Sequence, residues 1–280
     1  MPRLSISEMT TFHWPFPEDV VEYRAAGIEG IGVWRRKLTE FGEERGAELL
    51  REGALAVTSL SYVGGFTGSD GHSYAEALDD ARQALQVAAE IQAGCLVVVT
   101  GARWRHTRGH ARNLVRDALR SIGDAAGEHN LHIAVQPMHR AHASDMTFVN
   151  SLDALLDLLH RCDHSQVGMV FDAYHLSQEL ALCERIGEIV PWVKLVTLSD
   201  ARELPHSDCQ RCLPGEGRLP LKEIVGALET AGYQGFYEMQ ILSDEHWNSD
   251  YYRLLDQCKR AFQALCAPAP SPATSEKPGT

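Results

Sequence analysis

The stretch YAEALDDARQALQVAAEIQAGCLVVVT, residues 74–100, contains both kinds of element from which the fold is built. Its first part, Tyr74 to Ile91, repeats apolar residues at three- and four-residue spacing, which predicts an amphipathic helix. Its last part, Cys95 to Thr100, is a short apolar run typical of a buried strand in a parallel sheet. The stretch therefore predicts a helix that is followed directly by the next strand of the same sheet.

The same pair of elements recurs along the chain and gives eight strand–helix units. The other predicted strands are Leu4 to Met9, Gly30 to Trp34, Ala56 to Tyr62, His132 to Pro137, Val167 to Phe171, Val193 to Leu198 and Phe236 to Ile241. The other helices are predicted to begin near Pro17, Phe41, His110, Ser151, Leu180, Leu221 and Ser249. Eight units without a long linker favour closure of the sheet, so we predict an α/β protein with one (β/α)8 TIM barrel over residues 1–267.

Composition limits the environment and the partners of this barrel. The formal net charge of −12 opposes binding to nucleic acid or to an anionic membrane surface. No apolar run is long enough for a membrane helix and no secretory leader is visible, so we expect a soluble, cytoplasmic protein. Residues 268–280 are rich in Pro, Ser and Thr, which predicts a disordered tail.

Polar residues follow several of the predicted strands at their carboxyl ends, where barrels of this kind build their active sites. They are Gln136 and His139 after strand five, Asp172 and His175 after strand six, Thr197 and Asp200 in and after strand seven, and Glu238 in strand eight. Glu8, at the end of strand one, fits a hydrogen-bonded structural role better than a place in the mouth.

Three separated motifs carry a family resemblance. They are VGMVFDAYHL (residues 167–176), RCLPGEGRLPL (211–221) and AGYQGFYE (231–238), in this order. They resemble the sugar phosphate isomerase/epimerase family, whose members have the xylose isomerase-like TIM barrel, and the resemblance covers most of the chain. It implies an isomerase or epimerase that acts on a sugar, keto-sugar or sugar phosphate by proton transfer next to a carbonyl.

The resemblance also implies a divalent metal, manganese or magnesium, among four strand-end positions. In this sequence they are Gln136, Asp172, Thr197 and Glu238, and the family has Glu at the first and His at the third. The amide of Gln136 can still bind a hard cation through its oxygen, whereas the Thr197 hydroxyl is a poorer ligand than imidazole. We therefore expect Gln136, Asp172 and Glu238 to hold a metal more weakly than the family's usual site does.

The implied catalytic residues are Glu238 and His175, which can both transfer protons near neutral pH. His139, Arg211 and Trp104 are expected to bind a small polyhydroxylated substrate. Family epimerases use two carboxylates on opposite faces of the substrate, but Gln136 cannot titrate. One-base isomerisation, β-elimination and retro-aldol cleavage are therefore also consistent with the sequence.

Other functions remain open at this point. A metal-poor barrel that binds substrate without isomerase chemistry would fit the two altered ligand positions, and a keto-sugar lyase or dehydratase of the same fold is a further alternative. An apurinic-site endonuclease shares the barrel, but it needs more His and carboxylate ligands than the mouth offers, and the net charge of −12 opposes DNA binding. The sequence leaves open whether the protein is a homo-oligomer.

Overall fold

Eight parallel strands form a closed barrel in the computed structural model, which describes residues 2–267. Each strand pairs with the next one along the chain, and the last strand pairs with the first. The strands are β1 (Arg3–Ser7), β2 (Gly30–Trp34), β3 (Ala56–Gly64), β4 (Cys95–Val99), β5 (His132–Val135), β6 (Val167–Asp172), β7 (Val193–Leu198) and β8 (Phe236–Met239). The predicted (β/α)8 TIM barrel is therefore confirmed.

The helices follow the strands in sequence and cover the outside of the barrel. They are α1 (Phe16–Ala25), α2 (Arg35–Phe41), α3 (Glu43–Gly53), α4 (Tyr74–Glu90), α5 (Arg108–Glu128), α6 (Leu152–Cys162), α7 (Leu182–Ile189), α8 (Leu221–Thr230) and α9 (Tyr251–Cys266). The prediction of a single helix beginning near Phe41 was wrong in one respect, because a separate helix, α2, precedes it. Gly42 separates α2 from α3 with a φ of +108°, a conformation that other residues rarely adopt.

Alternation along β4 divides the core into two parts. Leu96 and Val98 belong to the large apolar layer between sheet and helices, whereas Cys95 and Val97 belong to a small separate cluster. That cluster also contains Ala134, Val170 and Leu195, and it fills the inside of the barrel. The barrel interior is therefore closed by side chains, and chemistry is restricted to its mouth.

Helix ends follow the local sequence. The Ser151 side chain accepts a hydrogen bond from the Ala154 amide at the start of α6, as its position predicts. Ser73 and Glu76 form a reciprocal capping box at the start of α4. None of the helices within residues 2–267 combines the length and the apolar character that crossing a membrane requires. The predicted tail, residues 268–280, lies outside the described residues.

The strand register brings three of the predicted site positions to the same level. Asp172 in β6 pairs with Thr197 in β7, and Thr197 pairs with Glu238 in β8. Gln136 follows β5 directly, and its backbone amide donates to the Val98 carbonyl in β4. These side chains therefore start from neighbouring points around the mouth of the barrel.

Candidate active site

Arg211 is the centre of a buried polar cluster at the mouth. It comes from the loop between β7 and α8, and its side chain is fully buried. Its guanidinium donates to both oxygens of Asp172, from Nη1 to Oδ1 at 3.2 Å and from Nη2 to Oδ2 at 3.0 Å. It also donates from Nε to Asp208 Oδ1 at 3.0 Å and from Nη1 to Ser199 Oγ at 3.0 Å. All its N–H groups have acceptors within the protein, because Nη2 also donates to Asp208 Oδ1 at 2.8 Å.

The charges of the cluster stabilise one another. Burial disfavours the charged guanidinium, but the Asp172 and Asp208 carboxylates outweigh this effect and raise the pKa of Arg211. Burial also acts against the Asp208 carboxylate, yet Arg211 and His175 lower the pKa of Asp208 to about 2. Asp208 and Arg211 are therefore an ion pair throughout the neutral pH range.

Asp172 has no lone pair left for another partner. Its Oδ1 accepts from the Tyr174 amide at 2.9 Å, the His175 amide at 3.2 Å and Arg211 Nη1. Its Oδ2 accepts from Gln136 Nε2 at 2.9 Å and from Arg211 Nη2. A carboxylate offers about four lone-pair directions, so these hydrogen bonds saturate it.

His175 lies against the guanidinium with no exposed surface. Its Nε2 is 3.0 Å from Arg211 Nη2, and its Nδ1 accepts from the His139 backbone amide at 3.3 Å. Burial lowers the pKa of His175 to about 4, although the nearby Asp172 favours the charged form. His175 is therefore neutral at pH 7, and its predicted catalytic role stays a prediction.

Glu238 makes its own hydrogen bonds in the same mouth, close enough to Asp172 for that charge to raise its pKa. Its Oε2 accepts from the Thr58 hydroxyl at 2.6 Å and from the Ser59 hydroxyl at 3.0 Å, and both hydroxyls come from β3. Within residues 2–267 its Oε1 accepts no hydrogen bond, and Glu238 makes none to the Arg211 cluster. Burial raises the pKa of Glu238 to about 7, although the two hydroxyls stabilise the carboxylate. One oxygen of a carboxyl group whose pKa is raised toward neutrality thus accepts no hydrogen bond from the described residues.

The residues at the implied metal positions do not fit a divalent ion. Asp172 is saturated, Gln136 directs its amide N–H group to Asp172, and Glu238 Oε2 accepts from Thr58 and Ser59, so that only Glu238 Oε1 is left without a hydrogen bond from the described residues. No group of three or more His, Cys, Asp or Glu side chains within residues 2–267 is arranged to hold a metal. At an effective dielectric constant of about 20, a divalent ion about 4 Å from the guanidinium meets about 8 kcal/mol of repulsion. This repulsion cancels the attraction of one carboxylate at the same distance.

The remaining predicted residues lie apart from these contacts. His139 is half-buried after β5, and its Nδ1 accepts from the Ala141 amide at 3.3 Å, so it touches the cluster only through its backbone. Burial, together with the neighbouring His142, lowers the pKa of His139. Trp104 is 55% exposed and lies beside Arg105, whose guanidinium carbon is 5.3 Å from its ring centroid. The substrate-binding roles of His139, Arg211 and Trp104 stay predictions.

Several site residues were not predicted from the sequence. Asp208 lies three residues before Arg211 and is its second counter-ion. The only sequence signal for this pair is the acidic residue close to the arginine in the segment DCQR. Thr58 and Ser59 hold Glu238 but carry no motif that marks them. His142 is buried with its ring 5.6 Å from that of His175, and its Nε2 has no hydrogen-bond partner among the described residues.

Glu8 has the structural role that the sequence favours. Its Oε2 accepts from the Trp34 backbone amide at 2.7 Å, which ties the end of β1 to the end of β2. Burial, followed by the nearby Asp19, raises the pKa of Glu8 well above its ordinary value. Lys37 donates to the Glu8 carbonyl at 3.1 Å and to Asp19 Oδ2 at 2.7 Å, and it supplies the positive charge of this second buried network.

Fold and site together define a class of protein, a (β/α)8 barrel with an arginine–aspartate cluster at its mouth and a buried glutamate whose pKa is raised toward neutrality. The model of the family described as xylose isomerase-like TIM barrel matches residues 20–260. This chain therefore belongs to the xylose isomerase-like TIM barrel family.

Two curated relatives are 3-dehydroshikimate dehydratases of Pseudomonas. The one from Pseudomonas putida is 23% identical over 237 residues, which are 81% of this chain and 36% of that protein. The one from Pseudomonas aeruginosa is 21% identical over 236 residues, with the same coverage of both chains. This chain thus spans about a third of the length of the curated relatives that it matches.

Solved structures share the fold over nearly the whole chain. A protein from Sinorhizobium meliloti is 27% identical with a TM-score of 0.87, and the match covers 94% of this chain and 98% of that one. An IolI protein with a bound zinc atom is 17% identical with a TM-score of 0.84, covering 94% and 97%. A 3-keto-D-glucoside 4-epimerase from E. coli is 16% identical with a TM-score of 0.78, covering 94% and 100%. The last two likenesses concern the fold alone.

Proposed function

We propose that this barrel is an acid–base enzyme that removes the proton next to the carbonyl of a small polyhydroxylated keto substrate, with Glu238 as the base. The observation that carries the proposal is the state of the Glu238 carboxyl group. It is buried, its pKa is raised to about 7, and its Oε1 accepts no hydrogen bond from residues 2–267. A base whose pKa lies near the working pH is both deprotonated often enough and basic enough to act.

The surroundings of Glu238 favour chemistry with one base. The amide of Gln136 does not titrate, Asp172 is saturated by hydrogen bonds, and burial keeps His175 neutral with a pKa of about 4. Inversion of a stereocentre by two bases needs a second titrating group on the opposite face of the substrate. We therefore favour a one-base reaction over two-base epimerisation, and among the one-base reactions the 3-dehydroshikimate dehydratase relatives favour elimination over isomerisation.

In the proposed elimination, Glu238 Oε1 takes the proton from the carbon next to the carbonyl. The electron pair of that C–H bond forms a carbon–carbon double bond, and the C–O bond to the β-hydroxyl group breaks. The proton held by Glu238 then joins the leaving oxygen, so that the product is an enone and one water molecule. The 3-dehydroshikimate dehydratases, which align with 81% of this chain, support a dehydration of this kind.

The test is incubation of the chain in D2O with 3-dehydroshikimate and a panel of keto-sugars, followed by NMR. We expect exchange of the proton next to the carbonyl and loss of water from at least one substrate, and both should be abolished in E238Q. The matched control is E44Q, which changes an exposed carboxylate on α3 in the same way. Exchange that persists in E238Q would show that the base is another residue. Wild-type protein that binds a ketone from the panel without exchanging it would indicate a substrate-binding barrel instead.

A further inference from the structure

We infer that Arg211 is the resident cation of this barrel, so that the site works with a guanidinium in place of a divalent metal ion. The inference deepens the proposed function and depends on it only for one activity measurement. It starts from the disagreement between the metal positions that the family resemblance implies and the contacts that the side chains make. Two of those positions, Asp172 and Gln136, are bonded into the Arg211 cluster.

Arg211 and Asp172 form a bidentate ion pair that holds both side chains in place. Two N–H groups of the guanidinium meet the two carboxylate oxygens side by side, the bidentate arrangement that is the strongest of the arginine–carboxylate contacts. The carboxylate also accepts from two backbone amides and from Gln136. A metal ion would have to displace one of these donors before Asp172 could bind it.

The guanidinium is held from its other sides as well. Its central carbon lies 4.5 Å from the centroid of the Tyr174 ring, whose hydroxyl group donates to the Ser207 carbonyl at 2.6 Å. The backbone amide of Arg211 donates to the Leu242 carbonyl in the loop after β8 at 3.3 Å. Arg211 is therefore packed into the mouth and does not have the mobility of a surface arginine.

The charge balance also argues against a divalent ion. Asp172 and Asp208 contribute two negative charges and Arg211 one positive charge, so these three side chains carry a net charge of −1. Asp208 is part of this balance, because without it Arg211 would neutralise Asp172 completely. Without Arg211, the Asp172 and Asp208 carboxylates would carry a charge of −2, which is the charge that balances a divalent ion. With Arg211 in place, half of that charge is already neutralised.

The primary experiment is a manganese titration of the full chain purified in chelator-treated buffer, with free Mn²⁺ counted by EPR and heat measured by calorimetry. We expect no saturable binding in the micromolar range and no metal retained after purification. A stoichiometric site of micromolar affinity in the wild type would overturn the inference. This measurement needs no substrate, so it holds even where the proposed reaction fails.

Two variants separate a guanidinium site from a metal site. Q136E adds a carboxylate beside Asp172 while Arg211 stays in place, and we expect it to leave Mn²⁺ binding undetectable. The double variant Q136E/R211M removes the guanidinium as well, and we expect it to gain a saturable Mn²⁺ site. Tight binding by Q136E alone would contradict the inference, and circular dichroism establishes that each variant is folded. A double variant that does not fold leaves the wild-type and Q136E titrations as the deciding measurements.

Activity gives a separate readout. If the proposed proton exchange occurs, chelator treatment should leave its rate unchanged within twofold, and added Mn²⁺ should not raise it. An exchange rate that is lost with the chelator and restored by Mn²⁺ would overturn the inference while leaving Glu238 as the base. If no substrate shows exchange, the result counts against the proposed function. The inference about Arg211 is then decided by the metal titrations, which need no substrate.

Discussion

The Glu238 carboxyl group occupies the space that a side chain at Gly32 would fill. Gly32 lies in β2, on the other side of β1 from β8, and a Cβ atom added there would collide with all three atoms of the Glu238 carboxyl group. The absence of a side chain at Gly32 therefore allows Glu238 to reach Thr58 and Ser59 on β3. The position of the proposed base depends on a residue that carries no chemistry of its own.

Replacement of Gly32 by alanine should disturb Glu238. We expect G32A to lower the free energy of unfolding by about 1–3 kcal/mol, the usual cost of an additional methyl group in a packed interior, and to reduce activity strongly. Chemical denaturation measures the first effect. G187A is the control, because a Cβ at Gly187 in α7 meets nothing within 4 Å. E238D in the G32A background should restore part of the stability because its side chain is one methylene shorter, and a double variant as unstable as G32A would contradict the proposed collision.

The pKa of Glu238 gives the stability a predicted dependence on pH. Because the pKa in the folded protein is raised from 4.5 to about 7, the folded state binds the proton more tightly than the unfolded state does. The contribution of Glu238 is thus fully present below pH 4.5 and is lost as the pH rises to about 7. The shift corresponds to about 3 kcal/mol. E238Q should remove this part of the slope, as measured by urea denaturation across that range, and parallel curves for the two proteins would contradict the raised pKa.

Much of the fold followed from local sequence because each element has its own pattern. β2 and β7 have the predicted bounds, since both are short apolar runs with sharp ends. The error at α2 has a physical cause. The segment RRKLTEF follows β2 without a loop and consists mostly of polar residues, so it lacks the apolar spacing that predicts a helix. Two of its residues, Lys37 and Leu38, are nevertheless buried and hold the helix against the barrel.

The site was harder to predict than the fold. Asp172 and His175 could be placed at the mouth because strand ends fix them, and their contact with the Gln136 region follows from the order of β5 and β6. The position of Arg211 could not be derived in this way. It lies in a long loop without periodicity, and only the path of that loop brings the guanidinium onto Asp172. Its N–H groups are all directed to protein acceptors, and its predicted contact with substrate stays a prediction.

The hydroxyl groups beside Glu238 should set the pH at which it titrates. Thr58 makes the shorter hydrogen bond and is the larger of the two influences that lower the pKa of Glu238, with Ser59 second. We expect T58V to raise that pKa by about one to two units, because a hydrogen bond to a charged group contributes about 1.5–3 kcal/mol. S59A should raise it by less. NMR titration of the carbon-13-labelled carboxyl group measures the pKa without a substrate, and a T58V value equal to the wild type would show that Thr58 does not stabilise the carboxylate.

The last prediction concerns the buried ion pair of Lys37 and Asp19. Lys37 Nζ lies 2.7 Å from Asp19 Oδ2, and the two side chains are 6% and 0% exposed. Burial raises the pKa of Asp19 to about 6, although Lys37 favours the carboxylate. Removal of the ammonium group in K37M should cost about 3–5 kcal/mol of stability near pH 8, because it leaves a buried carboxylate without its counter-ion. The loss should shrink toward pH 5, where Asp19 in the variant is protonated and needs no counter-ion.

Urea denaturation of K37M at the two pH values tests this expectation against a neighbouring control. R36M removes a cation that pairs with Glu40 on the surface of the same helix, where the two side chains are 68% and 63% exposed. Such a pair contributes about 0.5 kcal/mol, so R36M should have a small effect at both pH values. A K37M loss as small as that of R36M, or one that grows toward pH 5, would show that Lys37 does not hold the buried Asp19 carboxyl group in its charged form.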